Sequence, residues 1–178
     1  MTVRHSSYAE LEAALPEIEQ SPRERGTLSL IVRRPSTNER ETLDAATLDV
    51  EQGLVGDRWA VGKRRRVNQL TLINTRLVAA LTHGRERWAL AGDQLYVDFD
   101  LSAEHVPPGT RIRVGAAEIE VSPEPHTGCR KFAERYGLEA QRFIGSERGS
   151  ALALRGINAW VVKGAEVRVG DEVVALFG

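Results

Sequence analysis

The chain has 178 residues, 42% of them hydrophobic, and a formal net charge of -1 from 24 Lys and Arg against 25 Asp and Glu. This length favours a single hydrophobic core, and the balanced charge argues against both disorder and a dedicated nucleic-acid binder. A single Cys excludes intramolecular disulfides, a four-Cys zinc site and an iron–sulfur cluster held by four thiolates of this chain. The sequence shows no signal-peptide core and no membrane-spanning run, so we expect a cytoplasmic protein that binds neither membrane nor nucleic acid.

The N-terminal half begins with a predicted helix and continues with strands. Ser7 and Glu10 have the spacing of a capping box, which predicts a helix over residues 7–19, although Pro16 makes its second half doubtful. A short helix over residues 77–81 follows, capped by Asn74 or Thr75. Apolar and β-branched residues predict strands over residues 28–32, 41–50 and 70–73.

The C-terminal half adds more strands and two short helices. Residues 95–101 alternate between apolar and polar side chains, and residues 111–114 and 118–121 have the pattern of a hairpin. The helices are predicted over residues 130–136 and 139–144. Because short strands dominate and no βαβ alternation is present, the sequence predicts a mainly β fold with short helices, closed into a barrel.

Cys129 is the first candidate for chemistry. Its loop, residues 123–131, carries two Pro, a Gly and several polar residues, and such a segment normally stays at the surface. A helix starting near Cys129, together with Arg130 and Lys131, favours the thiolate, which is both a nucleophile and a soft metal ligand. His126 is a second catalytic candidate, as a proton donor or as the group that orients the thiol. A buried, inert Cys and a solvated His are the alternative interpretations.

Other patterns are less specific. The run Lys63–Arg66 is either an exposed loop or a clamp for a phosphate-bearing ligand. Asp57 lies in a turn, where Asp often only caps backbone groups. No zinc-ligand spacing, P-loop or dinucleotide-binding glycine pattern is present, which disfavours an enzyme that uses NAD or ATP.

A series of segments, taken in chain order, points to one family. They are residues 53–58, 69–74, 92–101 and 108–115, the Cys129 loop, and residues 154–159 and 169–171. In this order they resemble the MOSC domain, the module found at the C-terminus of molybdenum cofactor sulfurases. The resemblance spans about residues 25–175, and it implies a helical extension over residues 1–24 before a single barrel domain over residues 25–178. The implied barrel resembles the β-barrel domain of pyruvate kinase.

The resemblance also implies a role in molybdenum cofactor chemistry. In the family, the Cys at the position of Cys129 is either a molybdenum ligand or a carrier of activated sulfur. By motif position, Arg58 and Arg155 are the candidates for the pterin phosphate, and Asn74 and Asn158 are the candidates for the pterin edge. Asp57 would hold the loop or bind a pterin N–H donor, and Lys131 completes the cofactor-binding set.

Two functions from different classes follow from the resemblance. The first is an oxidoreductase that reduces small N-hydroxylated substrates with electrons from a separate protein, because no ferredoxin-like domain is fused to this chain. The second is a sulfur carrier loaded by a cysteine desulfurase, or a cofactor-delivery protein without turnover of its own, because the chain has no identifiable pyridoxal phosphate lysine. A third interpretation is an anion-binding barrel in which the Cys has no functional role.

Gly128 departs from the family, whose bacterial members commonly have Pro before the Cys. The sequence predicts no oligomeric state.

Overall fold

Seven strands of the computed structural model, which describes residues 2–177, close into a mixed β-barrel. The strands of the chain are β1 (Gly26–Arg33), β2 (Glu41–Leu43), β3 (Ala45–Asp49), β4 (Gly53–Leu54), β5 (Leu70–Asn74), β6 (Leu95–Asp98), β7 (Arg111–Val114), β8 (Ala117–Val121), β9 (Ile157–Lys163), β10 (Ala165–Arg168) and β11 (Glu172–Leu176). The helices are α1 (Tyr8–Glu19), α2 (Thr75–Leu81), α3 (Arg130–Tyr136), α4 (Leu138–Ile144) and α5 (Glu147–Ala151). Three 3₁₀ segments cover Arg58–Val61, Arg66–Asn68 and Arg85–Ala91.

The barrel order is β11-β7-β8-β9-β5-β6-β1, and β1 pairs with β11 to close it. Only β5 and β6 are parallel, and α2 lies in the connection between them. β2 extends the sheet beside β1, while β10, β3 and β4 form a separate small sheet. The prediction of a closed, mainly β architecture with short helices is therefore confirmed.

Alternation along the strands separates the barrel interior from its outer face. In β7, Ile112 and Val114 are fully buried inside the barrel, whereas Arg111 and Arg113 point outward. In β5, Leu70 and Leu72 belong to the same interior cluster. The intervening Thr71 therefore lies on the outer face, where it pairs in register with Asn158 of β9.

A second apolar cluster covers part of the outer face. Ile73 and Tyr96 pack there against side chains of the helices, including Leu11, Leu77 and Phe132. Helix α1 has the predicted capping box, since the Ser7 and Glu10 side chains each accept from the other residue's backbone N–H. The helix also continues through Pro16 to Glu19. The buried Leu11 and Ile18 anchor both of its ends, which removes the doubt about its second half.

Several predicted boundaries differ from the structure. The strand predicted over residues 41–50 is two strands, which separate at Asp44 and join different sheets. The strand predicted over residues 95–101 ends at Asp98, and α5 was not predicted. The division between residues 24 and 25 stays a prediction; α1 ends before it and β1 begins after it. Met1 and Gly178 lie outside the described residues.

Candidate functional site

Two adjoining cavities lie beside the loop of residues 122–128. This loop follows β8 and is tied to β9, because the Ser122 N–H donates to the Asn158 carbonyl and the Asn158 side-chain amide donates to the Glu124 carbonyl. The larger cavity, here called the basic cleft, measures about 800 Å³. The smaller, here called the thiol pocket, measures about 140 Å³. The cavities share four wall residues: Arg34, Arg58, Thr71 and His126.

Cys129 lines the thiol pocket. It is the N-cap residue of α3, with an extended backbone (φ −124°, ψ 173°), and its side chain makes no capping hydrogen bond. Its carbonyl accepts from the N–H groups of Phe132 and Ala133, so the backbone is fixed while the thiol remains free. The residue is exposed and forms no disulfide. The thiol can therefore be reached from solvent as well as from the pocket.

The thiol pocket is lined by six cations and one carboxylate, that of Glu39, which forms no ion pair within residues 2–177. Within residues 2–177, no acidic group lies within 4 Å of four of its cations: Arg40, Arg58, Lys131 and Arg135. The Nε of Arg40 is buried without a hydrogen-bond partner. Burial lowers the pKa of Arg40, and the charge of Arg135 adds to this effect. An anion bound in this pocket would reduce the repulsion between the cations and would provide an acceptor for the Nε–H of Arg40.

Two other arginines of the site are held by buried carboxylates. Asp57, with a fully buried side chain, accepts from the backbone N–H, Nε and Nη2 of Arg34 at 2.9, 3.0 and 2.8 Å. It also accepts from the Trp59 N–H and caps the 3₁₀ segment that begins at Arg58. The Asp57 carboxylate therefore holds the loop and Arg34.

Asp93 forms the second buried pair. Its Oδ2 accepts from Arg155 Nη1 at 2.8 Å, and Arg155 also lies over the ring of Phe132. Its Oδ1 is 3.6 Å from Nδ1 of His126. Burial lowers the pKa of His126 to about 4, because the opposing effect of Asp93 is smaller and the cations Arg155 and Arg34 lower it further. His126 is therefore neutral at neutral pH.

The basic cleft is lined by most of the Lys63–Arg66 run. Lys63, Arg64 and Arg65 face it, together with Trp59. The Arg64 guanidinium lies 5.8 Å from the Trp59 ring centre and donates to the Glu51 carbonyl. Arg65 is 3.4 Å from Glu124 across the cleft. The run is thus the positively charged wall of a cavity.

The structure brings most of the predicted site residues together. Five line the thiol pocket, namely Arg58, His126, Cys129, Lys131 and Arg155, and Asn158 lines the adjoining basic cleft. Asn74 lies elsewhere, and the structure does not support its predicted contact with a pterin. Its amide donates to the Ser21 hydroxyl and the Phe99 carbonyl, and its oxygen accepts from Arg76 N–H as the cap of α2. Both polar atoms of this buried side chain therefore already have partners within the protein.

The sequence analysis missed four residues of the site: Arg34, Arg40, Asp93 and Arg135. Asp93 was noted only as part of the segment 92–101, and no pattern in the sequence marks it as the buried partner of His126 and Arg155. The arginines carry no local signal either. They come together only in the folded chain, where the segment between β1 and β2 lies beside α3 at the thiol pocket.

Within residues 2–177, no group of three or more His, Cys, Asp or Glu side chains is arranged to hold a metal ion. No helix in the same range is long and apolar enough to cross a membrane.

One family model matches the chain. The model of the MOSC domain matches residues 68–174, which begin after Asp57 and Arg58. No protein with a curated description matches the sequence. The fold is similar to YuaD from Bacillus subtilis, with a TM-score of 0.67 and 16% identity over 88% of this chain and 99% of that one.

Two further solved structures are similar. YiiM from Geobacillus stearothermophilus has a TM-score of 0.60 and 14% identity, over 85% of this chain and 75% of its own. YiiM from Escherichia coli has a TM-score of 0.56 and 19% identity, over 85% of this chain and 70% of its own. At these identities the solved structures establish the fold, and the family match covers more than half of the sequence. The chain belongs to the MOSC domain family.

Proposed function

We propose that this protein binds the molybdenum cofactor with the Cys129 thiolate as the protein ligand of the metal, and that it reduces N-hydroxylated compounds. The observation that carries the proposal is the thiol pocket. It places a free thiol in the same small cavity as four cations that have no acidic group within 4 Å among residues 2–177. A pterin cofactor needs both features, because its dithiolene-bound metal favours one further soft ligand and its phosphate favours arginines.

The residues of the site fit such a group. Arg40, Arg58, Lys131 and Arg135 would hold the phosphate, since these are the unneutralised cations of the pocket. This assignment moves the phosphate away from Arg155, whose charge is already balanced by Asp93. The basic cleft provides the adjoining volume for the pterin, and the Asn158 side chain lines it.

In the proposed reaction, the N–O bond of the substrate breaks and the oxygen leaves as water, which consumes two electrons and two protons. The cofactor, when bound, supplies the two-electron chemistry, and the electrons come from a separate donor protein. The chain's own residues bind and orient the reactants. The neutral His126 imidazole is available for a hydrogen bond at the thiol pocket, and the Asp57–Arg34 pair keeps the cleft wall in place.

Metal and pterin content test the proposal directly. Protein would be produced with and without an intact cofactor pathway, and Cys129→Ser would be compared with Thr127→Ser, which changes a neighbouring residue in the cleft wall. We expect near-stoichiometric molybdenum in wild type and Thr127→Ser, and its loss in Cys129→Ser, because a hydroxyl is a poor substitute for a soft thiolate. Full molybdenum content in Cys129→Ser would contradict the assigned ligand.

The exposure of Cys129 favours one alternative, a sulfur carrier. An exposed thiolate can attack the persulfide of a cysteine desulfurase, so that a new S–S bond forms on Cys129 and the desulfurase thiolate leaves. Protein without molybdenum under either condition, together with a mass increase of one sulfur atom on Cys129 after incubation with a desulfurase and cysteine, would establish this function instead of the reductase.

A further inference from the structure

Two buried polar atoms face each other beside the thiol pocket, and neither has a hydrogen-bond partner among residues 2–177. They are Asp93 Oδ1 and His126 Nδ1, which lie 3.6 Å apart. The Asp93 side chain is fully buried, and its other oxygen accepts from Arg155. Buried polar groups are seldom left unpaired, and these two atoms are only a few tenths of an ångström too far apart for a hydrogen bond. We therefore expect them to form one.

The chemistry of the two atoms determines which one donates. A carboxylate oxygen can only accept, so the pair forms only when Nδ1 of His126 carries the hydrogen. A neutral imidazole has one such hydrogen, which leaves Nε2 with a free lone pair. The cations Arg155 and Arg34 near the ring oppose a second proton.

We propose that Asp93 is a positioning residue that holds His126 through Nδ1–H, so that Nε2 becomes a hydrogen-bond acceptor at the thiol pocket. The ligand group that Nε2 recognises is an N–H or O–H donor. This inference rests on the proposed function, under which the donor to Nε2 is the hydroxyl group of an N-hydroxylated substrate or a pterin N–H. His126 then acts as an acceptor, and the earlier interpretation of this residue as a proton donor is replaced.

The backbone around Asp93 preserves this arrangement. Gly156 has a φ of +107°, and a Cβ at this position would lie 3.3 Å from Asp93 Oδ1 and closer still to the Leu72 carbonyl. The absence of a side chain at Gly156 therefore leaves space beside Asp93 Oδ1, the oxygen nearest to His126. The other oxygen is fixed by Arg155, which prevents the carboxylate from rotating away.

Nitrogen NMR of the histidine side chains in cofactor-free protein tests the proposal, because the two ring nitrogens give distinct signals in each tautomer. His105 is an internal reference: its Nδ1 lies 2.7 Å from the Asp100 carbonyl, which can only accept, so its Nδ1 carries a hydrogen. We expect His126, assigned by the signals lost in His126→Gln, to show the Nδ1–H tautomer at neutral pH. A predominant Nε2–H tautomer would overturn the proposal.

Asp93→Asn supplies the second test. An Asn side chain can donate to Nδ1, so the preference of His126 for Nδ1–H should fall about tenfold while His105 stays unchanged. If this variant does not fold because Arg155 loses its partner, Asp93→Asn combined with Arg155→Gln removes both charges together. An unchanged His126 tautomer in a folded variant would refute the role of Asp93. Since the protein carries no cofactor in this experiment, its outcome is independent of the molybdenum measurement.

Discussion

At the scale of single residues, the burial of His126 links protonation to stability. Its pKa is about 4 in the folded protein and close to 6.5 in the unfolded chain. Between these values the unfolded chain binds a proton that the folded protein does not, so the free energy of unfolding falls as the pH decreases through this window. The full stability is present above pH 6.5.

We therefore predict that wild type loses about 3 kcal/mol more stability than His126→Gln between pH 6.5 and pH 4. Urea denaturation of both proteins across this range measures the difference, in which the contributions of the other histidines cancel. Parallel pH profiles for the two proteins would show that His126 titrates normally in the folded state.

The residues of the site show what a sequence can reveal at this scale. Cys129 and His126 were identified because they share one polar loop, so their neighbourhood is visible in the sequence itself. Asp93 and Arg40 come from distant segments and become neighbours only in the folded chain. Asn74 was predicted both to cap a helix and to contact the pterin edge. In the structure it is the N-cap of α2, so its position directly before a helix was the more informative signal.

At the scale of secondary-structure elements, packing outweighs local preference in α1. Pro16 is exposed and occupies the interior of the helix, where it lacks the N–H that would donate to the Glu12 carbonyl. The helix nevertheless continues because Leu11 and Ile18 are buried against the helical cluster. Tertiary contacts of this kind decide an element that the local sequence leaves open.

Pro16→Ala is therefore expected to stabilise the protein by about 1–2 kcal/mol, because it restores a helical hydrogen bond and outweighs the lower entropy that Pro gives the unfolded chain. Thermal denaturation would measure the effect. Ala13→Gly, at another exposed position of α1, is the matched control and should destabilise by about 1 kcal/mol. A loss of stability in Pro16→Ala would mean that Pro16 fits a bend that the packing of α1 requires.

Local patterns predicted most elements because alternation and capping are short-range signals, and α3 and α4 appeared at or near their predicted boundaries. The break at Asp44 was not predicted, because it depends on long-range contacts. Residues on either side of it join two different sheets, and their partners come from distant parts of the chain. Sheet membership depends on those partners and not on the alternation of the segment.

At the scale of the whole molecule, the barrel depends on one short seam between strands from opposite ends of the chain. β1 and β11 pair only through Gly26 with Val173 and Thr27 with Glu172. Two backbone hydrogen bonds extend the seam, from the Leu28 N–H to the Asp171 carbonyl and from the Gly170 N–H to the Leu28 carbonyl. Closure was predicted from strand number and from the family resemblance, but no local signal indicated which strands would meet.

Gly26 lies at this seam and also packs closely against β6, the other neighbour of β1. A Cβ there would overlap the Asp98 carbonyl of β6 and lie 2.8 Å from the Phe99 Cβ, so a side chain would displace the end of β1 that lies between β6 and β11. Gly26→Ala should therefore lower the free energy of unfolding by about 2 kcal/mol. In Gly62→Ala, the matched control, the nearest atoms lie 3.6 and 3.7 Å away, and stability should be unchanged or slightly higher.

Urea denaturation measures both variants, and hydrogen exchange locates the damage. In Gly26→Ala the amides of Leu28 and Gly170, which donate across the seam, should lose protection before those of β8 and β9. Uniform loss of protection would mean that the barrel opens as one cooperative unit and that β1–β11 pairing is no weaker than the other strand pairs. Selective loss at the seam would show that the two ends of the chain close the barrel that supports the thiol pocket.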